Sequence, residues 1–273
     1  MAWWRPAPQL HAAIARRGDS CRTALKRSIA ADTGSHTWVS PHVIFGPQVR
    51  AAVMPSGLRY CRDFVSIAEE AETISALQEG QWLDHLKSRA QQFFGLVYYQ
   101  TTHAVPALQP AESSEQRGRP LSALPKWLLP RVVSAGIFPR GLAEINQVAA
   151  NEYLGNTGIA HHVEDPTAFG ANLATLSLLA PVHLTLTPVE VPPPDGAGID
   201  HGNWIKVLLE PRSLLVLQGE SRYAYRHGIR KSKLVQLPSG EIVRRDGGYR
   251  RVSLTFRELL ATRRQLPGSG IEG

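Results

Sequence analysis

The sequence predicts a mostly β chain with N-terminal helices (α+β), built as a double-stranded β-helix, or jelly roll. Two observations lead there. At least six short segments with strand-like alternation or β-former content follow residue 150, while extended helical spacing occurs only before it. The length of 273 residues, with 43% hydrophobic and 19% charged residues and no internal repeat, suits one large globular core rather than an array or a disordered chain. Short strands in this number, buttressed by helices at one end, fit a roll of two sheets.

The elements are read in order. Residues 1–50 carry Arg5, Arg16, Arg17, Arg22, Lys26, Arg27 and Arg50 against only Asp19 and Asp32. This basic, acid-poor leader reads as a mitochondrial or plastid presequence, or else as a disordered basic tail on a cytoplasmic or nuclear protein. Residues 57–64 suggest a strand and 65–83 a helix. In that helix Ile67, Ala71, Ile74 and Leu77 recur at helical spacing, and Glu69, Glu70 and Glu72 sit near its positive end. In residues 87–99, Phe94, Leu96 and Tyr98 alternate as in a strand. Residues 101–120 read as a polar loop, and 121–135, around Trp127, as a helix. Strands are expected over 171–179 and 182–189, then a Pro/Gly loop over 188–202. Asp200 and His201 lie in that loop, a poor place to hold a metal. Residues 204–209 and 213–217 are expected to form a hairpin around Glu210, Pro211 and Arg212. A strand begins at Arg226, a basic insertion spans 234–248, the last strand covers 250–259, and 261–273 forms a loose tail.

Chemistry concentrates in residues 151–169, where His161, His162, Val163, Glu164 and Asp165 are consecutive. On an extended chain rising about 3.3 Å per residue, His162 and Glu164 share a face and stand close enough to grip one ion. His161 and Asp165 share the other face about 13 Å apart, too far to ligate together. A third ligand appears at His227. Two histidines and one carboxylate with open positions form the facial triad of non-haem Fe(II) oxygenases. Further on, Arg251 and Arg257 lie an even six residues apart in an alternating run, so both point the same way. Guanidinium groups suit the paired hydrogen bonds that hold a dicarboxylate.

Asn151-x-Tyr153, Gly158-Ile, His162-x-acid, the run 213–223, His227-Gly-Ile and Arg251-x5-Arg257, in that order, resemble the AlkB family. The resemblance covers residues 57–260, taken as the catalytic domain. It implies a dioxygenase using Fe(II), 2-oxoglutarate and O2 to oxidise alkyl groups, often on nucleic acids. In that reading His162, Glu164 and His227 hold the iron, and Arg251 binds the distal carboxylate of 2-oxoglutarate. Arg257 lies nearer the metal, against the proximal carboxylate or the ligand acid, and Asn151 and Tyr153 hydrogen-bond the cosubstrate. It also implies that residues 87–99 lead into a substrate flap, so Arg89, Tyr98 and Tyr99 are candidates for contacting phosphate or stacking on a base. One departure stands out. The family's usual ligand is Asp, and Glu164 reaches further by about one C–C bond.

A net charge of +7 and a pI near 9.7 favour anionic partners such as nucleic acid (DNA or RNA) or an anionic lipid surface. No 18-residue apolar run exists, so no stable membrane insertion is expected. Cys21 and Cys61 cannot build a disulfide framework, which points to a reducing compartment. A monomer is expected. Two classes of function stay open. One is an active oxygenase on modified nucleic acid, with protein or lipid as variant substrates. The other is a jelly-roll binding module that has lost turnover, for which Glu164 is the hint.

Overall fold

The computed structural model describes residues 36–49, 53–84, 86, 88–97, 118–189 and 202–260. In chain order the strands are β1 (Val43–Phe45), β2 (Leu58–Cys61), β3 (Ala90–Gly95), β4 (Gln147–Leu154), β5 (Ile159–His162), β6 (Phe169–Leu178), β7 (Val182–Pro188), β8 (Ile205–Leu209), β9 (Leu214–Leu217), β10 (Tyr225–Ile229), β11 (Leu234–Gln236), β12 (Ile242–Arg244) and β13 (Arg250–Leu259). The helices are α1 (Ile67–Gln78), α2 (Leu128–Ser134) and a short α3 (Gly219–Tyr223). The larger sheet has the order β2-β9-β6-β13-β4-β3 and the smaller β1-β8-β7-β10-β5, while β11 and β12 form a separate ribbon. The strand pairings are antiparallel. From β4 onward the chain passes back and forth between the two sheets, which is the winding of the expected jelly roll.

Successive side chains on a strand go to opposite faces, and on the larger sheet both faces are covered. Val252, Leu254 and Phe256 of β13, Val148 and Ala150 of β4, and Leu214 and Val216 of β9 join one core, together with Ile74 and Leu77 of α1 and Leu128 and Val132 of α2. The alternate residues Leu173, Leu215 and Leu217 meet Leu184, Leu186 and Val207 of the smaller sheet in a second core. The helices are therefore a buttress, and the space between the sheets is left for the site.

Several expectations need correction. The leader does not run to residue 50. Val43, Ile44 and Phe45 pair with Val207, Lys206 and Ile205, Val39 donates to the Tyr60 carbonyl, and the Arg59 guanidinium lies 3.7 Å over the Trp38 ring. Residues 36–49 thus belong to the domain, whereas 1–35 lie outside the described residues, as does the tail 261–273. The segments 204–209 and 213–217 are not a hairpin. β8 pairs with β1 and β7, and β9 pairs with β2 and β6. The intervening corner, with Arg212 at φ 63°, carries the chain from one sheet to the other. In α1 the buried stripe is Glu70, Thr73, Ile74 and Leu77, while Ile67 is 73% exposed. Glu70 turns inward because the backbone N–H of Leu179, itself at φ 71°, donates to its carboxylate at 2.7 Å. The expected helix over 121–135 splits into a 3-10 turn, Leu121–Ala123, and α2. β3 stops at Gly95 (φ 77°), so Leu96 is exposed instead of continuing the strand core. α3 is one short helix after residue 150 that the sequence reading did not anticipate.

The first prediction concerns the corrected boundary. Deleting residues 36–50 in addition to 1–35 lowers the melting temperature by roughly 10 °C relative to deleting 1–35 alone. The reason is that β1 and the Trp38 and Val39 contacts are lost. Equal melting temperatures would show that this stretch adds nothing to the sheet.

Candidate active site

β5 and β10 run antiparallel with His162 directly opposite His227. Two glycines permit the approach. A Cβ at Gly228 would stand 2.6 Å from the His161 ring, and one at Gly158 would stand 2.1 Å from the Ile229 carbonyl oxygen. The His162 and His227 rings lie 4.5 Å apart between centroids, tilted by 51°. β5 ends at His162, so Glu164 arrives on the following loop and not by strand alternation. Its Oε1 is 3.9 Å from His162 Nε2. One ligand atom from each of His162, Glu164 and His227 lies within 4.8 Å of the other two. The neighbouring Asp165 is turned away, its Oδ1 accepting from the Thr167 N–H at 2.8 Å and hydroxyl at 2.6 Å.

Three buried cations organise this loop and the strands around it. Arg257 Nη1 donates to Glu164 Oε2 at 2.9 Å and its Nε to Gln147 Oε1 at 2.6 Å. Its guanidinium lies 3.8 Å over the Phe169 ring. Arg222, 1% exposed, donates to the main-chain oxygens of Glu164 at 2.7 Å and Phe169 at 3.4 Å, so one guanidinium holds both ends of the loop. Arg251, 2% exposed, donates to Ser177 Oγ at 2.9 Å and lies 5.3 Å from the Tyr153 ring. Among the described residues Arg251 forms no ion pair, and its Nε has no hydrogen-bond partner.

The donor set fits a divalent metal. Burial pushes the Glu164 carboxyl up, but the Arg257 charge and the His162 hydrogen bond outweigh it and hold the group well below the usual carboxylate range. Burial pushes His227 down to about 4, with the His162 charge adding to the effect, so it is neutral as a ligand must be. Burial alone would lower His162, yet its hydrogen bond to Glu164 leaves it raised. Its Nδ1 lies 2.9 Å from the Ala160 carbonyl oxygen, so that nitrogen carries the proton and Nε2 faces the carboxylate. The Nδ1 of His227 is buried with no hydrogen-bond partner among the described residues.

These groups open on a cavity of about 520 Å³. Alternation along β13 aims Arg251, Ser253, Thr255 and Arg257 into it, and β4 adds Ala149, Asn151 and Tyr153. Leu184, Leu209, Leu215 and Leu217 make an apolar wall. Arg89 also lines the cavity, but in the protein its Nε donates to Asn151 Oδ1 at 3.0 Å, beside Gln91 Nε2 at 2.8 Å. Arg89 therefore sits beside Asn151 within the site. Tyr98, Tyr99, Asp200 and His201 lie outside the described residues. The sequence reading missed Ser253 and Thr255, although the alternation that selected the two arginines also selects them. It missed Arg222, which it quoted only as part of a motif, and Gln91, for which it had no signal.

The model of the 2OG-Fe(II) oxygenase superfamily matches residues 57–257, and the chain belongs to that superfamily. Its cofactor set is accordingly Fe(II), 2-oxoglutarate and O2. Within the superfamily the chain is AlkB-like. It is 29% identical over 215 residues to an alkylated DNA repair protein ALKBH8 homolog of Arabidopsis thaliana, covering 74% of this chain and 58% of that protein. A tRNA (carboxymethyluridine(34)-5-O)-methyltransferase alkbh8 of Xenopus tropicalis is 27% identical over 202 residues, 72% of this chain and 29% of that one. A probable RNA/DNA demethylase ALKBH6 of Danio rerio is 27% identical over 184 residues, 64% and 70% of the two chains. The chain thus spans 58% of the Arabidopsis relative and 29% of the Xenopus one.

The loop geometry makes a second prediction. Glu164→Ala abolishes Mn(II) binding measured calorimetrically, Asp165→Ala retains it, and Arg222→Met weakens it by about 10- to 100-fold through loss of the carbonyl clamp. Loss of metal in Asp165→Ala, with Glu164→Ala unaffected, would reassign the ligand.

Proposed function

We propose that this chain is an Fe(II)- and 2-oxoglutarate-dependent dioxygenase that hydroxylates, and thereby demethylates, an alkylated or modified nucleic acid. His162, Glu164 and His227 hold the metal. Bound there, Fe(II) supplies O2 activation coupled to decarboxylation of 2-oxoglutarate, one oxygen atom entering succinate and the other a substrate C–H. Where that carbon is bonded to nitrogen, the hydroxylated product releases an aldehyde and leaves N–H.

The observation that carries this reading is Arg251. A guanidinium stays charged in proteins, and burying it without an anion costs several kcal/mol. Arg251 lines the cavity that holds the triad and forms no ion pair among the described residues. A ligand carboxylate supplies the missing counter-charge, and a dicarboxylate places its other end toward the metal. Arg257 orients Glu164 and faces the proximal end of the same ligand, while Asn151 and Tyr153 hydrogen-bond it. The fit of Glu164 to the two histidines supports an active site over a binding-only module.

The nucleic-acid assignment rests on the names of two relatives, a DNA repair protein and a probable RNA/DNA demethylase, and on the net charge of +7. Not all of that charge is available, since Arg222, Arg245, Arg251 and Arg257 are buried. Lys231, Lys233 and Arg244, on and beside the β11–β12 ribbon, are exposed. Among the described residues no helix is long and apolar enough to cross a membrane. The working unit is taken as a monomer, and the basic leader as an organellar address that a reporter fusion of residues 1–35 tests.

Two measurements check this function. Arg251→Ala weakens 2-oxoglutarate binding by on the order of 100-fold with metal affinity retained, and Arg251→Lys recovers only part of it, since ammonium lacks the planar fork. Unchanged 2-oxoglutarate affinity would remove Arg251 from the site. Binding of the protein lacking residues 1–35 to single-stranded DNA or RNA falls steeply between 50 and 200 mM salt, as expected from roughly 3 to 5 released counterions. No binding at low salt would shift the substrate to protein or lipid.

A further inference from the structure

Across the larger sheet, Gln91 of β3, Asn151 of β4 and Ser253 of β13 are direct partners in one row. Gln91 is 9% exposed. Two donors converge on the Asn151 side-chain oxygen, Gln91 Nε2 at 2.8 Å and Arg89 Nε at 3.0 Å. An asparagine amide presents an acceptor at one corner and two donors at the other, and which corner faces a ligand is set by its neighbours. A guanidinium has no acceptor capacity, so only the oxygen of Asn151 can face Arg89. That choice in turn obliges Gln91 to present its NH2. Both lone pairs of Asn151 Oδ1 are then taken.

We infer that Arg89 and Gln91 are positioning residues that lock the Asn151 amide with its NH2 toward the cavity, making Asn151 a pure donor to an anionic oxygen of the cosubstrate. This rests on the reading of the cavity as the 2-oxoglutarate site. It goes beyond that reading in assigning the polarity of the contact, the residues that enforce it, and a role for Arg89 other than substrate phosphate. The physical consequence is a one-way selection. An amide free to flip could turn its oxygen to a carboxylate, leaving two acceptors face to face, whereas the locked amide cannot.

Three substitutions, two of them isosteric, isolate the effect, each read by anaerobic titration of 2-oxoglutarate into the Mn(II)-loaded protein. Asn151→Asp keeps its acceptor for Arg89 and Gln91 but turns a second oxygen, with negative charge, toward the ligand. It weakens 2-oxoglutarate binding by about 30-fold or more. Gln91→Glu replaces one of the two donors by an acceptor and competes for Arg89, weakening binding by about 10-fold. Arg89→Met, which removes the group that sets the orientation, does likewise, while Mn(II) affinity stays at the parent value in all three. A role in packing alone would lower the melting temperature without separating cosubstrate from metal affinity.

The controls distinguish this inference from the reading beneath it. If the parent fails to bind 2-oxoglutarate, or Arg251→Ala leaves that binding unchanged, the cavity is not the cosubstrate site. If the parent binds and Arg251→Ala is impaired, yet Gln91→Glu and Arg89→Met bind 2-oxoglutarate like the parent, the amide lock is overturned. A rise in the nucleic-acid KM of Arg89→Met with unchanged 2-oxoglutarate affinity would also overturn it and place Arg89 on the substrate.

Discussion

The ion pair between Arg257 and Glu164 joins the two sheets at the point where the chemistry is placed. Arg257 is fixed on a central strand of the larger sheet, stacked on Phe169 and held by Gln147. Glu164 sits on a loop leaving the smaller sheet. Without the pair, a carboxylate on a six-residue excursion would sample many rotamers. With it, one oxygen is anchored at 2.9 Å and the other is left toward the histidines. The same contact keeps the carboxyl ionised despite its burial, which a metal ligand requires.

Buried arginines are costly, and this fold uses several for distinct ends. Arg257 is neutralised by Glu164. Arg222 donates through both Nη atoms to two main-chain oxygens and shapes the loop they bound. Arg245 donates to the Arg230 and Thr157 carbonyls and ties the base of the ribbon to the turn before β5. Among the described residues, Arg251 alone of these four has neither a carboxylate nor a main-chain oxygen as a partner, and it donates to the Ser177 hydroxyl. A charge left so in a closed core would destabilise the fold. Arg251 instead lines the cavity it shares with His162, Glu164 and His227.

Alternation turns one strand into both core and site. On β13 the odd-numbered residues Arg251, Ser253, Thr255 and Arg257 face the cavity, and Val252, Leu254 and Phe256 are 0% exposed against the helical buttress. A shift of one residue in pairing would bury the arginines under α1 and α2 and open the apolar face to the cavity. The apolar packing thereby enforces the placement of the polar groups, and stability and site geometry rest on the same pairing.

Much of this was legible in the sequence, because period-two alternation and the spacing of His162, Glu164, His227, Arg251 and Arg257 are local properties. The last strand, residues 250–259, was read with the bounds the structure has. Asp165 does turn away as expected, but it does so on a loop, through its bonds to Thr167, and not by strand alternation. What tertiary structure decided were the relations between distant segments. Whether β8 and β9 pair with each other or cross between sheets depends on partners 19 or more residues away, and a Pro-containing corner looks alike in both cases. The entry of residues 36–49 into the smaller sheet, the inward turn of Glu70 and the clamp of Arg222 on the ligand loop likewise need a partner remote in sequence. So does the polarity of Asn151, for its amide is symmetric in shape and asymmetric in charge. Only the two donors brought beside it by β3 distinguish one end from the other.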